Sequence, residues 1–294
     1  MSNLKRLKNL GLINPPSWLA DNVCLEVIMG SVAYGVSNND SDIDCYGFAI
    51  PPKRIVFPHS VGVIQGFDTQ VEGFDQYQEH HILDKSSGKE YDYTMFGIVK
   101  YFRLIMENNP NITDSLFVPR RCIIHSTRVG EHVRENRKLF LHAGCYWKFK
   151  GYAFSQMHKI DIKKPKEGSK RHDSVAEHGM DVKFAYHVVR LLAEAEMILA
   201  EHDLDLERNR EQLKSIRRGE WTIEQIKEHF AMKEKHLEEL YSKTTLPHRP
   251  DEAKIKQILL ECLELHYGSL SKAEIEMPDR FQDLLREIHR LSAV

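Results

Sequence analysis

An apolar run, Val23 to Met29, stops abruptly at Gly30-Ser31, and this junction restricts the possible folds more than any other part of the sequence. The run predicts a buried strand. A strand that ends in Gly-Ser at the start of a helix leaves backbone N–H groups pointing outward, which suits a phosphate, and the Ser31 hydroxyl adds a donor. We therefore predict that Gly30 and Ser31 bind the phosphates of a nucleotide.

Two aspartates, Asp42 and Asp44, stand two residues apart at the start of a second predicted strand, Ile43 to Ile50. Because side chains alternate along a strand, both carboxylates project from one face. Two like charges held so close are costly without a cation, and Mg²⁺ is commonly shared between carboxylates and substrate phosphates. We predict that Asp42 and Asp44 are catalytic ligands of two Mg²⁺ or Mn²⁺ ions about 3.5–4 Å apart.

A third carboxylate should approach these ions from a neighbouring strand. Asp92 is the candidate, because it lies near the end of a short predicted strand, Lys89 to Tyr93, and Glu90 is the reserve on the same face. A helix is predicted to follow from Thr94 to Glu107, with Met95, Val99, Phe102 and Met106 at helical spacing, and to stop at Asn108-Asn109-Pro110-Asn111.

The character of the sequence changes near its middle. Before about residue 120 short apolar runs alternate with turns, including a possible strand over Val61 to Gly66. Later segments show helical signals: the stripe Val182, Ala185, Val189 and Leu192, a capping box at Thr222 to Gln225, and a helix bracketed by Pro250-Asp251 and Gly268. We predict an α+β fold, with a small mixed-sheet catalytic domain over residues 1–120 and a mainly α-helical domain over residues 121–294 that binds acceptor and nucleotide.

Basic residues supply further candidates for phosphate contacts. Lys183, His187 and Arg190 recur at i, i+4 and i+7, so one helical face presents all three to a triphosphate or an RNA backbone; the alternative is a solvated polar face. The same two interpretations apply to Lys100 and Arg103. A predicted loop from His158 to Arg171 could gather a polyanionic strand by counterion release, although such loops are more often merely solvated. Its candidates for nucleic-acid binding are Lys163, Lys164, Lys166, Lys170 and Arg171.

Several other classes of site do not fit the sequence. A P-loop needs Gly-Lys-Ser/Thr, which the segment from Gly30 to Gly35 lacks, and an EF-hand loop starting at Asp40 needs glycine at Cys45 and glutamate at Pro51. The 5 cysteines show no C-x-x-C spacing, and the 16 histidines, including His80-His81, show no zinc motif and are interpreted as scattered.

Composition indicates an ordinary globular chain. The formal net charge is -2, so a polyanion would have to meet a local patch. No apolar run approaches the ~20 residues that a membrane span needs, and the first residues do not resemble a secretory signal. We predict a cytoplasmic location without membrane contact.

Gly30-Ser31, ten residues and then Asp42-x-Asp44 together resemble the signature of the DNA polymerase β nucleotidyltransferase superfamily. Within it, Gly30-Ser31-x-Ala33-Tyr34-Gly35 and Ser41-Asp42-Ile43-Asp44 are similar to the YcgL-type predicted nucleotidyltransferases of bacteria and phages, often associated with RNA repair. Weaker similarity extends over roughly residues 23–220, through Tyr91 to Phe96, Lys100 to Leu104, Gly151 to Gln156, Lys183 to Leu192 and Ile216 to Glu220. Asp114-Ser115 departs from the Glu-Leu expected there, which puts in doubt any role for an acid at that position.

The resemblance implies a polymerase β-type core and transfer of a nucleoside monophosphate from a triphosphate such as ATP to a hydroxyl acceptor. It also implies that the acceptor is an RNA 3′ end, for example that of a damaged tRNA. Two alternatives stay open. The acceptor could be a protein or a small molecule, as in antitoxin-like and antibiotic-modifying relatives, or the chain could bind nucleotide or RNA without turnover.

Overall fold

The computed structural model of the protein describes residues 2–37, 42–57, 73–162 and 170–268. The strands are β1 (Val23–Ile28), β2 (Ile43–Ala49), β3 (Gln76–Asp84), β4 (Lys89–Gly97) and β5 (Ile123–Ser126). The α-helices are α1 (Asn3–Asn9), α2 (Gly30–Ala33), α3 (Lys53–Val56), α4 (Ile98–Met106), α5 (Pro110–Phe117), α6 (Arg128–Glu135), α7 (Cys145–Ile162), α8 (Lys170–His178), α9 (Val182–Glu201), α10 (Arg210–Arg217), α11 (Ile223–Lys243) and α12 (Glu252–Tyr267). Short 3-10 helices cover Leu19–Asp21, Arg120–Cys122 and Arg137–Phe140. None of the helices in these ranges is long and apolar enough to cross a bilayer.

The strands form one mixed sheet in the order β3-β4-β2-β1-β5. β2 and β4 are parallel, whereas the other neighbouring pairs are antiparallel. The parallel pairing sets Asp44 directly opposite Asp92. Neighbouring strands lie roughly 4.8 Å apart and paired residues share a face, so the two carboxylates project side by side. The predicted α+β fold, with a mixed sheet followed by helices, is confirmed.

Apolar side chains cover both faces of the sheet. On one face Cys45, Tyr93 and Met95 pack with Leu4 and Leu7 of α1. The other face belongs to a larger core that continues into the helices and includes Leu25, Val27, Phe48, Phe149, Leu192 and Ile258. Asp44 and Asp92 are the direct neighbours of Cys45 and Tyr93 in sequence. Because side chains alternate along a strand, the two aspartates point to the opposite face of the sheet, toward the larger core and the helices.

Glu26 is a buried carboxylate in the middle of β1 that connects α1 to the sheet by hydrogen bonds. Its carboxylate accepts hydrogen bonds from the backbone N–H groups of Asn3 (2.8 Å) and Leu4 (3.0 Å) and from the Tyr93 hydroxyl (2.8 Å). The first N–H groups of a helix have no partner inside the helix, so this carboxylate supplies one at the positive end of the helix dipole. Burial raises the pKa of Glu26.

The predicted start of the helix after Asp92 is wrong. Residues Thr94–Phe96 continue β4, and Met95 lies opposite Gly47 of β2 and Tyr77 of β3. Ladder pairing on both sides outweighs the helical spacing of Met95. The helix therefore begins only at Ile98.

β3 and α5 are among the elements that were not predicted, and one prediction lies outside the described residues. β3 is an edge strand with mostly polar, exposed side chains, so it lacks the apolar alternation of a half-buried strand. α5 begins at Pro110, with Asn109 as its N-cap, where the sequence indicated only a turn. The predicted strand from Val61 to Gly66 falls within the residues that the structure does not describe.

The helical signals of the second half are confirmed. α9 buries most of its predicted stripe, Thr222 forms a capping box with Gln225, and Asp251 caps α12, which ends at Gly268. β5 lies just beyond the predicted boundary at residue 120 yet pairs with β1. The division into residues 1–120 and 121–294 stays a prediction.

The basic stretch from His158 to Arg171 is not a loop throughout. α7 continues to Ile162 and α8 begins at Lys170, so the loop prediction is wrong at both ends. An unbroken run of backbone hydrogen bonds extends each helix into the charged segment. Lys163, Lys164 and Lys166 lie outside the described residues.

Candidate active site

A cavity of about 590 Å³ opens between the aspartate-bearing face of the sheet and helices α8 and α9. Most of the residues predicted for the site line it: Gly30, Ser31, Asp42, Asp44, Asp92, Lys183 and His187. Carboxylates thus face basic side chains across one space. That arrangement suits a metal-bound polyphosphate, because carboxylates can bind the metal ion and basic side chains can bind the phosphates.

Gly30 joins β1 to α2, and only glycine fits there. Its φ of +62° lies in the left-handed region, and a Cβ atom would overlap Oδ2 of Asp44. The backbone N–H of Met29 donates to the Asp44 carbonyl oxygen (2.7 Å), which holds the turn against β2. The start of α2, with Ser31, therefore lies beside the carboxylate pair.

Gly30→Ala is expected to destabilise the protein by about 1–3 kcal/mol, because it adds backbone strain and a clash with Asp44. Gly88→Ala is the matched control, since Gly88 also has a positive φ (+68°) but nothing lies within 4 Å of the added Cβ. Urea unfolding of both variants measures the difference. An equal loss in the two variants would show that the close approach to Asp44 contributes nothing.

Asp44 is half-buried, whereas Asp42 is exposed. Burial raises the pKa of Asp44, the Lys183 ammonium lowers it, and the carboxylates of Asp92 and Asp42 raise it again, so the net direction is upward. The three carboxylates therefore repel one another through the cavity. A cation between them would relieve this repulsion.

The carboxylates fit a divalent ion that arrives with its substrate. Within the described residues, no three His, Cys, Asp or Glu side chains are already close enough to hold a metal together. Mg²⁺ commonly uses only one or two carboxylates and completes its shell with water and substrate phosphates, so no ready-made cage is required. The repulsion at Asp44 favours such an ion.

Two consecutive histidines, interpreted from the sequence as scattered, hold Asp92. The pairing of β3 with β4 is interrupted between Glu79 and Ile82, opposite Asp92. The backbone N–H of His81 donates to Asp92 Oδ1 (2.8 Å), and His80 Nδ1 lies 3.3 Å from Oδ2. No motif signals these contacts, because they depend on how an edge strand pairs.

The helical wall of the cavity contains residues that were not predicted. Tyr186 lies one turn from Lys183, where helical spacing could have indicated it. The Arg217 guanidinium donates to the Val36 carbonyl oxygen (2.6 Å) and lies 5.5 Å from the Tyr186 ring. Tyr34, Tyr46 and Asn111 also line the cavity.

Arg190 does not line the cavity. Its Nη1 donates to Asp114 Oδ2 (2.5 Å), to Glu194 Oε1 (2.9 Å) and to the Tyr34 hydroxyl (2.8 Å), and all these groups are buried. The i+7 spacing carries Arg190 about 10 Å along α9 from Lys183, into the core. Asp114, whose role the sequence left in doubt, belongs to this buried cluster.

Among the described side chains, three further candidates, Glu90, Lys100 and Arg103, are not part of the cavity lining. Glu90 bonds His81 (2.5 Å), and Lys100 lies 3.7 Å from Asp75. Arg103 is not among the lining residues. Lys170 and Arg171 open α8, whose Ser174 lines the cavity, but their side chains are outside the described part of the chain.

Comparisons with known proteins identify the family of this chain. The profile of a family described as the RNA repair pathway DNA polymerase beta family matches residues 6–261. Among solved structures, the chain is similar to a nucleotidyltransferase-like protein from Exiguobacterium sibiricum 255-15, with 11% identity and a TM-score of 0.28 over 87% of this chain and 77% of that chain. A likeness this weak carries no argument about the site. A comparison with curated proteins found no match.

Proposed function

Since the chain belongs to the RNA repair pathway DNA polymerase beta family and is therefore a nucleotidyltransferase, we propose that it transfers a nucleoside monophosphate from a nucleoside triphosphate to a hydroxyl group at an RNA 3′ end, with Mg²⁺ or Mn²⁺ as cofactor. One observation carries the proposal: Asp44 and Asp92 are paired across parallel strands beside the Gly30-Ser31 turn. The carboxylates and the Gly30-Ser31 turn therefore line the same cavity.

Each part of the cavity has a task in this reaction. The Ser31 hydroxyl and nearby N–H groups bind the terminal phosphates, and Lys183 and His187 offset their charge. Asp42, Asp44 and Asp92 would hold the metal ion. The bound metal would lower the pKa of the attacking hydroxyl and offset charge on the leaving pyrophosphate.

The bond changes are those of an in-line displacement. The acceptor oxygen forms a bond to the α-phosphorus while the bond from that phosphorus to pyrophosphate breaks. Asp92 accepts the proton of the attacking hydroxyl. The products are the extended acceptor and pyrophosphate.

RNA as acceptor rests on the family's description and on the basic stretch that precedes Ser174, a residue of α8 that lines the cavity. Lys159, near the end of α7, lies 5.8 Å from the ring of Phe184, the residue after Lys183. The segment holding Lys163, Lys164 and Lys166 follows directly, and Lys170 and Arg171 begin α8. We propose that the RNA backbone is contacted by Lys163, Lys164, Lys166, Lys170 and Arg171.

The test supplies each nucleoside triphosphate, labelled at the α-phosphate, with Mg²⁺ or Mn²⁺ and with RNA, DNA, protein or small-molecule acceptors. We expect label on RNA 3′ ends, release of pyrophosphate, and loss of both with Asp42→Asn. Label found only on a protein or a small molecule would replace RNA as the acceptor. Nucleotide binding without transfer to any acceptor would leave a binding module and contradict the reaction.

A further inference from the structure

Three polar side chains form a row along one face of the edge strand β3. Gln76, Gln78 and His80 stand two residues apart, the spacing of one strand face. Gln76 Nε2 donates to Gln78 Oε1 (3.2 Å), and Gln78 Nε2 lies 2.7 Å from His80 Nε2. The row ends at Asp92, because His80 Nδ1 lies 3.3 Å from Asp92 Oδ2.

The order of hydrogen-bond donors and acceptors along the row follows from Gln76. An amide nitrogen can only donate, so Gln78, which accepts through Oε1, offers its Nε2 hydrogen to His80 Nε2. A neutral imidazole that accepts at one nitrogen carries its hydrogen on the other. His80 Nδ1 therefore carries the hydrogen and lies 3.3 Å from Asp92 Oδ2, so Gln78 and Asp92 contact the ring at its two different nitrogens and orient it.

The main chain holds the other oxygen of Asp92. At the interruption in β3, His81 has a φ of +57° and points its N–H at Oδ1. Its imidazole instead bonds Glu90. The two neighbouring histidines therefore contact Asp92 differently: His80 through its ring, and His81 only through its backbone N–H.

We propose that His80, oriented by Gln78, is a positioning residue that fixes the Asp92 carboxylate for metal binding. This inference rests on the proposed function, in which Asp92 is the third carboxylate of the site. The Asp92 side chain is 24% exposed, and the His81 N–H hydrogen bond and the contact with the His80 ring restrict rotation of its carboxylate beside Asp44. Removing an outer partner of a metal ligand typically costs about 10–100-fold in metal affinity or activity.

The test measures Mn²⁺ binding, from the electron paramagnetic resonance signal of the free ion with a non-hydrolysable nucleoside triphosphate present, alongside transfer kinetics. His80→Ala should weaken Mn²⁺ binding about tenfold and lower kcat. It should change the KM for nucleotide little, because other residues hold the phosphates. His80→Asn should recover most of the loss, since its amide N–H can replace Nδ1–H.

His236→Ala is the matched control. The His236 imidazole lies 3.2 Å from the Glu196 carboxylate and is about as exposed as that of His80, but neither residue lines the cavity, so binding and transfer should stay near the wild-type values. Thermal unfolding should change little in all three variants, because both imidazoles are about half exposed.

Equal Mn²⁺ affinity in the wild type and His80→Ala would overturn the inference. So would equal losses in His80→Ala and His80→Asn, which would assign the effect to the ring rather than to its N–H group, or an equal loss in His236→Ala. A wild type that neither binds Mn²⁺ nor transfers label would instead refute the proposed function, and the positioning role with it.

Discussion

Asp44→Asn is expected to abolish nucleotide transfer in a protein that remains folded. The substitution keeps the shape of the side chain but removes the charge that the proposed mechanism uses to bind the metal ion. Loss of such a ligand removes several kcal/mol of charge stabilisation in the transition state, so kcat should fall on the order of 10³-fold. Single-turnover incorporation of label at saturating nucleotide and Mg²⁺ measures this loss.

The same variant should be no less stable than the wild type when metal is removed with a chelator. The pKa of Asp44 is raised in the folded protein, so the folded state binds the proton more tightly than the unfolded chain. The ionised carboxylate therefore lowers stability at pH values above its unfolded-state pKa, and asparagine removes that cost. At pH 7 the urea midpoint should equal or exceed the wild-type value, and any gain should vanish in acid.

Asp84→Asn provides the opposite pattern. Asp84 accepts hydrogen bonds from Ser86 and Arg6, and these lower its pKa. Its ionised form therefore stabilises the protein above the unfolded-state pKa, so the variant should be less stable at pH 7. Its transfer rate should not change, because Asp84 lies outside the cavity lining. Wild-type transfer by Asp44→Asn would contradict the role assigned to Asp44.

Arg190→Met is expected to lower the free energy of unfolding by about 3–5 kcal/mol, because it leaves two buried carboxylates without their cation. Asp114 and Glu194 are 0% and 2% exposed, and burial raises the pKa of both. The cluster also bonds Tyr34 at the end of α2, so the turn that carries Ser31 should loosen. Urea unfolding at pH 7 measures the loss.

Two further variants identify its cause. Adding Glu194→Gln to Arg190→Met should recover part of the stability, since one uncompensated charge disappears. Arg208→Met, which breaks an exposed pair with Glu201, should have no measurable effect. A small loss in Arg190→Met would show that the cluster is not a stabilising element.

The sequence predicted well wherever neighbouring residues carry the signal. The Gly30-Ser31 turn, the Asp42-x-Asp44 pair and the capping box at Thr222 are contiguous patterns, and each backbone conformation depends on nearby side chains. The later start of α4 and the burial of Arg190 follow from distant partners. Neither periodicity nor charge spacing encodes which strand pairs with Met95 or which carboxylate meets a guanidinium.

Local sequence was sufficient for the Gly30-Ser31 turn, the aspartate pair and the change from a mixed sheet to helices, because each depends on side-chain alternation, glycine conformation or helix capping. How deeply each charged side chain is buried depended on the tertiary packing. Burial placed Arg190 among carboxylates instead of in the cavity, and the pairing of a polar edge strand brought His80 to Asp92. Those outcomes depend on contacts between residues far apart in sequence, whose energies no local pattern records.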